Sequence, residues 1–348
     1  MGRWGQTPSF FDRFSPNIYN ARMDYLCCPQ CRASVNIPEG GTTVSCESCN
    51  AVFPLVDGFI DFVDSRALEE FAQWQKDIYE GEVESQHIPY HMAPDAAKRH
   101  IEYCVRIARE HGPLVPCWLG MDFREATDSL EPRQGELVLD VGCNTGVILA
   151  VMREIYGTVG VGVDFSRAAV GIATACSPEG NLFFSADALR LPFQDETFDM
   201  AVSYSVLEHV SDQARMVSEM ARVLRPGGRL LIHTTCRRDR WTWHWWQRIM
   251  SQGRYGLGLD DQAGHDREKF LEPAELAHLL MKSGLSRVET LVVHTMYTLM
   301  FDETFPWFFI RLLAFPRLIR PVRRLLDTAD ALPNSLGYGN EFLVTAWK

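Results

Sequence analysis

The amino-acid order predicts an α/β chain, an open, doubly wound and mostly parallel sheet preceded by a small cysteine-rich module. Three observations carry that prediction. Short β-rich runs alternate with helical periodicity from Glu136 to Thr234. A glycine turn, Gly142-Cys-Asn-Thr-Gly146, joins the first of those runs to an apolar helix. Four of the ten cysteines fall into two tight pairs ahead of the sheet.

Composition bounds the answer further. A chain of 348 residues has room for one full α/β domain and an accessory module. With 46% hydrophobic and 23% charged residues it can bury a sizeable core, which excludes a disordered chain. The net charge of -11 repels phosphate and so speaks against unspecific nucleic-acid binding. The start, MGRWGQTPSFFDRF, lacks the charged, apolar and cleavage-site series of a secretory signal, and the sequence has no apolar run long enough to span a bilayer. The expected location is therefore the cytoplasm, where free thiols persist.

The first element, residues 24–63, holds Cys28-Pro-Gln-Cys31 and Cys46-Glu-Ser-Cys49, separated by 14 residues. Two residues between thiolates let one turn present both sulfurs to a tetrahedral ion, and the spacer returns the chain as a second such turn. Cys28, Cys31, Cys46 and Cys49 are thus the expected ligands of a closed, structural zinc site, with Cys27 out of register. The apolar tail Val52 to Asp61 resembles the end of Trm112-like zinc-ribbon domains. Residues 64–134 follow as a helical lead-in, with Ile101, Val105 and Ala108 at helical spacing.

The sheet domain, 135–348, opens with the strand ending at Asp140 and the glycine turn, where any side chain would block close approach of a ligand. The second strand, from Val159, places Asp164 24 residues after Asp140, suited to accept ribose hydroxyls. The third, from Leu182, ends in Asp187, suited to an adenine amino group. The fourth, Phe198 to Ser203, runs into Leu207-Glu208-His209-Val210, and the fifth is Arg229 to Thr234 after Leu224-Arg-Pro-Gly-Gly228. Ligands of such a sheet gather at the carboxyl ends of its strands.

Together these segments resemble the LDVGCGTG, LPF.D..FD, LEHV and LRPGG signatures of class I S-adenosylmethionine-dependent methyltransferases, in particular the methyltransferase type 11 group. The resemblance implies a Rossmann-like, seven-stranded, mostly parallel sheet. It also implies that Asp140, Gly142, Asn144 and Gly146 surround the methionine part of the cofactor, Asp164 the ribose and Asp187 with Ala188 the adenine, with Cys143, Phe165 and Ser205 also among the cofactor-binding residues. Asn144 stands where the pattern has glycine, and asparagine tolerates a left-handed backbone. Some quinone-pathway O-methyltransferases that resemble this chain use a further glutamate for a divalent metal, at the position held here by Ser205.

Methyl transfer needs alignment above all, and a base only where the acceptor keeps a proton. Glu208 and His209 follow the fourth strand, and His265 precedes a helix with Pro273 near its start; these three are the candidate catalytic residues, with helix capping and packing as the competing reading of the pair. Two segments are expected to cap the substrate. The first, 235–268, gathers Trp241, Trp243, Trp245 and Trp246. The second, 296–338, lies between a sixth strand at Arg287–His294 and a seventh at Glu341–Trp347, interrupting what is normally a tight hairpin. Its stretch 304–326 interleaves aromatic residues with Arg311, Arg317, Arg320, Arg323 and Arg324, which suits a peripheral membrane surface, a substrate cap or a dimer interface.

The function these readings point to is methylation of an oxygen or carbon of an apolar small-molecule or lipid-linked acceptor. Two alternatives stay open. One is an RNA methyltransferase guided by the zinc ribbon, which the ribbon's composition disfavours because Arg32 is opposed by Glu39 and Glu47. The other is a non-catalytic subunit that binds the cofactor. The oligomeric state is not legible in the sequence.

Overall fold

The computed structural model describes residues 23–38, 40–63, 94–111, 127–177, 180–250, 267–293, 325, 328–332 and 334–348. At the N-terminus a four-stranded antiparallel sheet runs β1 (Val35–Asn36), β2 (Thr43–Cys46), β3 (Val52–Val56) and β4 (Phe59–Ile60). Helix α1 (Pro94–His111) leads into the main domain. There β5 (Leu137–Val141), α2 (Val147–Tyr156), β6 (Val159–Asp164), α3 (Arg167–Cys176) and β7 (Leu182–Ser185) build one half of the sheet. The other half comprises β8 (Phe198–Tyr204), α4 (Gln213–Val223), β9 (Leu224–Thr235), α5 (Trp243–Met250), α6 (Pro273–Lys282), β10 (Ser286–Val293) and β11 (Glu341–Trp347).

The main sheet has seven strands in the order β10-β11-β9-β8-β5-β6-β7. Strands β5 to β9 pair parallel, and β11 pairs antiparallel with both β9 and β10. The expected seven-stranded, mostly parallel Rossmann-like sheet is therefore what the chain forms. The parallel strands read as continuous apolar runs because helices cover both faces: Val138, Leu139 and Val141 in β5 and Met200, Ala201 and Val202 in β8 are all fully buried. Strand order reverses between β5 and β8, so a crevice opens there, beyond the carboxyl ends of the strands.

The cysteine module does not stand apart from this domain. Its tail lies along the outer strand: Asp61 bridges Ser185 in parallel, and the Phe62 amide donates to the Ser185 carbonyl at 2.7 Å. On the other flank Leu26 bridges Phe193, Cys27 N–H donates to Pro192 O at 2.9 Å, and Gln194 N–H to Tyr25 O at 2.8 Å. Met23, Leu26, Val44, Phe53 and Phe62 then join Phe184, Phe193 and Phe198 in one continuous core. Cys27, which the spacing leaves out of the metal set, is buried at this seam, and burial pushes its thiol up to about 11.

Candidate functional site

The loop after β5 carries the geometry that its glycines foretell. Gly142 and Gly146 have φ of 81° and 79°, and Asn144 between them has φ of 46°, so the residue that replaces a glycine adopts the left-handed conformation. A Cβ on Gly142 would come within 2.1 Å of Val206 Cγ2, and one on Gly146 within 2.8 Å of Phe183. The loop after β5 and the loop after β8 therefore touch at Gly142, which leaves no space for any side chain there. Gly142 and Cys143 N–H groups both donate to Val163 O, at 2.8 and 3.0 Å, tying the loop across to β6.

Two carboxylates sit under this loop. Asp140 is fully buried, and neither of its oxygens has a hydrogen-bond partner among the described residues. Burial, reinforced by the neighbouring Asp164, pushes its pKa up to about 8. An isolated buried acid of this kind invites a cationic or hydrogen-bond-donating ligand. Asp164 ends β6, 9% exposed; its Oδ2 accepts from Asn144 N–H and its Oδ1 from Ser166 N–H, both at 2.9 Å. Burial raises its pKa while those amides oppose the shift. Each of its oxygens keeps a lone pair for a further donor. Phe165 follows, half-buried, and the buried Cys143 thiol is held well above its ordinary range by the same burial and acids. Beyond β7, Asp187 Oδ1 accepts from Leu189 N–H at 2.9 Å, and its other oxygen meets Arg190 at 3.4 Å; Ala188 is half-buried beside it. The acids from β5, β6 and β7 thus line one edge of the sheet.

The loop after β8 holds the other group. Glu208 is 1% exposed and its Oε2 accepts from Thr234 Oγ1 at 2.8 Å, which fastens the short turn Leu207–His209 to β9. His209 is half-buried at the end of that turn. His265 lies outside the described residues, as do 304–324 and 326.

The structure adds a constellation that sequence reading missed. Ser205, the first residue past β8, has φ of 52°, a conformation uncommon for a residue with a side chain. Its Oγ lies 3.1 Å from His233 Nδ1, and His233 Nε2 lies 3.2 Å from Glu341 Oε2. The imidazole is buried and stacks on Tyr204 with ring centres 3.9 Å apart. With Glu341 accepting from Nε2–H, the Nδ1 lone pair faces the Ser205 hydroxyl. One signal was available in the sequence: a histidine inside the apolar run Leu230-Leu-Ile-His233. Its partners were not legible, because β8, β9 and β11 bring them together from distant positions.

In the N-terminal module the four sulfurs of Cys28, Cys31, Cys46 and Cys49 all lie within 4.8 Å of one another, with Cys28 to Cys49 at 3.5 Å and Cys31 to Cys46 at 3.4 Å. A tetrahedral zinc with Zn–S bonds of ~2.3 Å has sulfurs ~3.8 Å apart, so the donor set fits such an ion. The two turns repeat each other. Arg32 and Asn50 take φ of 63° and 57°, and their N–H groups donate to Cys28 O and Cys46 O. The amide of Cys49 brings the Cys46 thiol down to about 7, while burial pushes Cys28 up.

Comparison with known proteins agrees with this geometry. A family described as "Methyltransferase domain" matches residues 139–232, from within β5 to within β9. The chain is 30% identical over 172 residues to a ubiquinone biosynthesis O-methyltransferase of Bartonella tribocorum, covering 49% of this chain and 68% of that enzyme. It is 40% identical over 114 residues to the O-methyltransferase cnsE of Penicillium expansum, covering 31% of this chain and 41% of that one. Among solved structures, phosphoethanolamine N-methyltransferase 2 of Haemonchus contortus in complex with S-adenosyl-L-methionine superposes with a TM-score of 0.50 at 15% identity, over 85% of this chain and 61% of that one, a likeness of fold. With the glycine cradle, the buried acids at the strand ends and these relatives in view, the chain belongs to the class I S-adenosylmethionine-dependent methyltransferases.

Proposed function

We propose that the chain methylates a hydroxyl oxygen of an apolar small-molecule acceptor. The observation that carries this reading is the Ser205–His233–Glu341 chain of contacts at the edge where β8, β9 and β11 meet. S-adenosylmethionine supplies a methyl group on a positively charged sulfur, ready for transfer to a nucleophile. A hydroxyl acceptor must give up its proton as it attacks, and the constellation gives that proton somewhere to go. Ser205 Oγ accepts it while passing its own hydrogen to His233 Nδ1, and Glu341 steadies the imidazolium that results. Ser205 adjoins Val206, which packs on Gly142, so this path opens beside the cofactor loop.

The cofactor would rest on Asp140, Gly142, Cys143, Asn144 and Gly146 through its methionine part, on Asp164 and Phe165 through its ribose, and on Asp187 and Ala188 through its base. Glu208 and His209 would hold the loop after β8 in place, with His209 and His265 as the other candidate bases. Zinc on Cys28, Cys31, Cys46 and Cys49 would be structural, since four protein sulfurs complete a tetrahedron. Residues 235–268 and 296–338 would cap the acceptor, with 304–326 as the stretch that meets a membrane surface or a lipid-linked acceptor.

Labelled methyl from S-adenosylmethionine, incubated with enzyme and cell extract and partitioned between organic, RNA and protein fractions, tests the reading. Label is expected in the organic phase, in alkali-stable ether linkage; label in RNA would overturn it. His233→Asn should reduce that incorporation about 100-fold or more at neutral pH, within the range of general-base effects. Cofactor affinity should stay within about threefold, because His233 is not among the residues placed on the cofactor. An equal loss of cofactor binding would reassign His233 to the fold.

A further inference from the structure

Beyond the carboxyl end of β9 the chain builds a second concavity. Arg237, Arg238 and Arg240 leave the strand and face Trp245, Ile249 and Glu272 across a cavity of about 520 Å³. Its floor is fixed to the sheet edge: Cys236 bridges Leu271, and Arg237 N–H donates to Leu271 O at 3.0 Å.

The arginines are not equivalent. Arg237 is held by Glu275. Arg238 and Arg240 have no carboxylate partner among the described residues; instead each lies over a ring, Arg238 5.5 Å from the centre of Tyr338 and Arg240 5.4 Å from that of Trp241. All three arginines are exposed, whereas Asp239 is buried and Glu272 half-buried, so the positive groups reach the cavity mouth first. In a chain of net charge -11 this is a local reversal of the average surface field.

Trp245 and Ile249 make the other wall apolar, and the residue packed behind Trp245 is strained. Trp241 has φ of 69°, a backbone region that bulky side chains avoid, yet the residue is 43% exposed. It packs on Trp245 and Trp246, with ring centres 4.9 and 6.0 Å away, and Ile249 nearby is 51% exposed. A backbone strain that holds a large ring against solvent beside two arginines is a cost with no return in core packing. A ligand that covers the rings would supply the return.

We infer that this concavity binds the acceptor, and that the acceptor is an amphiphile with one anionic group, phosphate or carboxylate, on an apolar body. Arg238 and Arg240 meet the anion, and Trp241, Trp245 and Ile249 lie along the body. The inference rests on the methyl-transfer reading above and narrows its substrate class.

The test is calorimetry on the full chain saturated with S-adenosylhomocysteine, using geranyl phosphate, geranic acid and geraniol as probes. One or both of the acids should bind at least tenfold tighter than the neutral alcohol, and R238Q/R240Q should erase that margin while leaving S-adenosylhomocysteine affinity unchanged. Equal binding of all three, binding of none, or a margin that survives the double substitution would overturn the inference. So would binding to phosphatidylglycerol vesicles with no binding of the soluble acids, which would make the arginines a membrane contact. Failure of S-adenosylhomocysteine itself to bind would instead sink the cofactor assignment, so the two failures are distinct.

Discussion

Asp140 is the residue through which the proposed cofactor site would couple ligand binding to pH. An aspartate in the unfolded chain ionises near pH 4, whereas in the fold burial and Asp164 keep Asp140 protonated up to about 8. Between those values the folded state binds more protons than the unfolded one, so this residue's contribution makes stability fall as pH rises through the window. A cationic group placed against Asp140 reverses the preference and drives the proton off. Binding of S-adenosylmethionine at pH 7 should therefore release protons, seen as a dependence of the calorimetric enthalpy on the ionisation enthalpy of the buffer. Asp140→Asn should abolish that dependence and weaken binding more than about tenfold. Proton-free binding by the wild type would show that Asp140 does not meet the cation. The place of this carboxylate in the first strand, just before the glycine turn, was legible, its cofactor role being a proposal that rests on the family resemblance. Its isolation was not, because burial depends on Val138, Val141 and the packed helices rather than on neighbours in sequence.

At the scale of elements, the sequence located the strands well and their partners poorly. The parallel strands were legible because two-sided burial demands unbroken apolar runs, and α6 because Pro273 opens it. The sixth and seventh strands form the expected antiparallel pair, with β10 starting one residue earlier, at Ser286. What stayed hidden was contact between elements, and Glu219 on α4 is the clearest case. It is 2% exposed, pairs with Arg222 at 2.7 Å and with Arg32 of the cysteine module at 2.7 Å, and accepts from Leu191 N–H at 3.0 Å. Its pairing with Arg222 three residues on was open to reading in α4, but its burial was not, since Arg32 and the Leu191 amide come from segments distant in sequence. Glu219→Ala removes one member of a buried network and leaves the Leu191 amide without its acceptor, while Arg222 keeps Asp195 and the Phe193 and Leu191 carbonyls. The expected cost is about 1–3 kcal/mol, read from denaturant unfolding. A change under about 1 kcal/mol would mean that water replaces the carboxylate without loss.

For the whole molecule, the decisive feature is that the cysteine module closes the open edge of the main sheet. An uncovered outer strand presents unpaired amides and carbonyls. Here the Asp61–Phe62 tail pairs with β7, while Phe53, Phe62 and Phe184 stack in series, with ring centres 5.0 and 6.1 Å apart, to carry the core across the seam. Asp61, itself buried, also holds Arg167 at the start of α3, immediately after the Asp164 loop. The CxxC pairs made the ribbon at 24–63 legible in the sequence, whereas its packing against β7, whose neighbour β6 carries Asp164, was not. If zinc shapes the ribbon, its removal should therefore be felt at the far side of the seam. One zinc per chain is expected by elemental analysis, and either a strong chelator or Cys46→Ser should lower the temperature of a single unfolding transition. With a loss of a few kcal/mol the drop is about 10 °C, and cofactor affinity should fall with it. Two independent transitions, with cofactor binding intact after chelation, would show that the ribbon is an appended module and that β7 keeps its place without it.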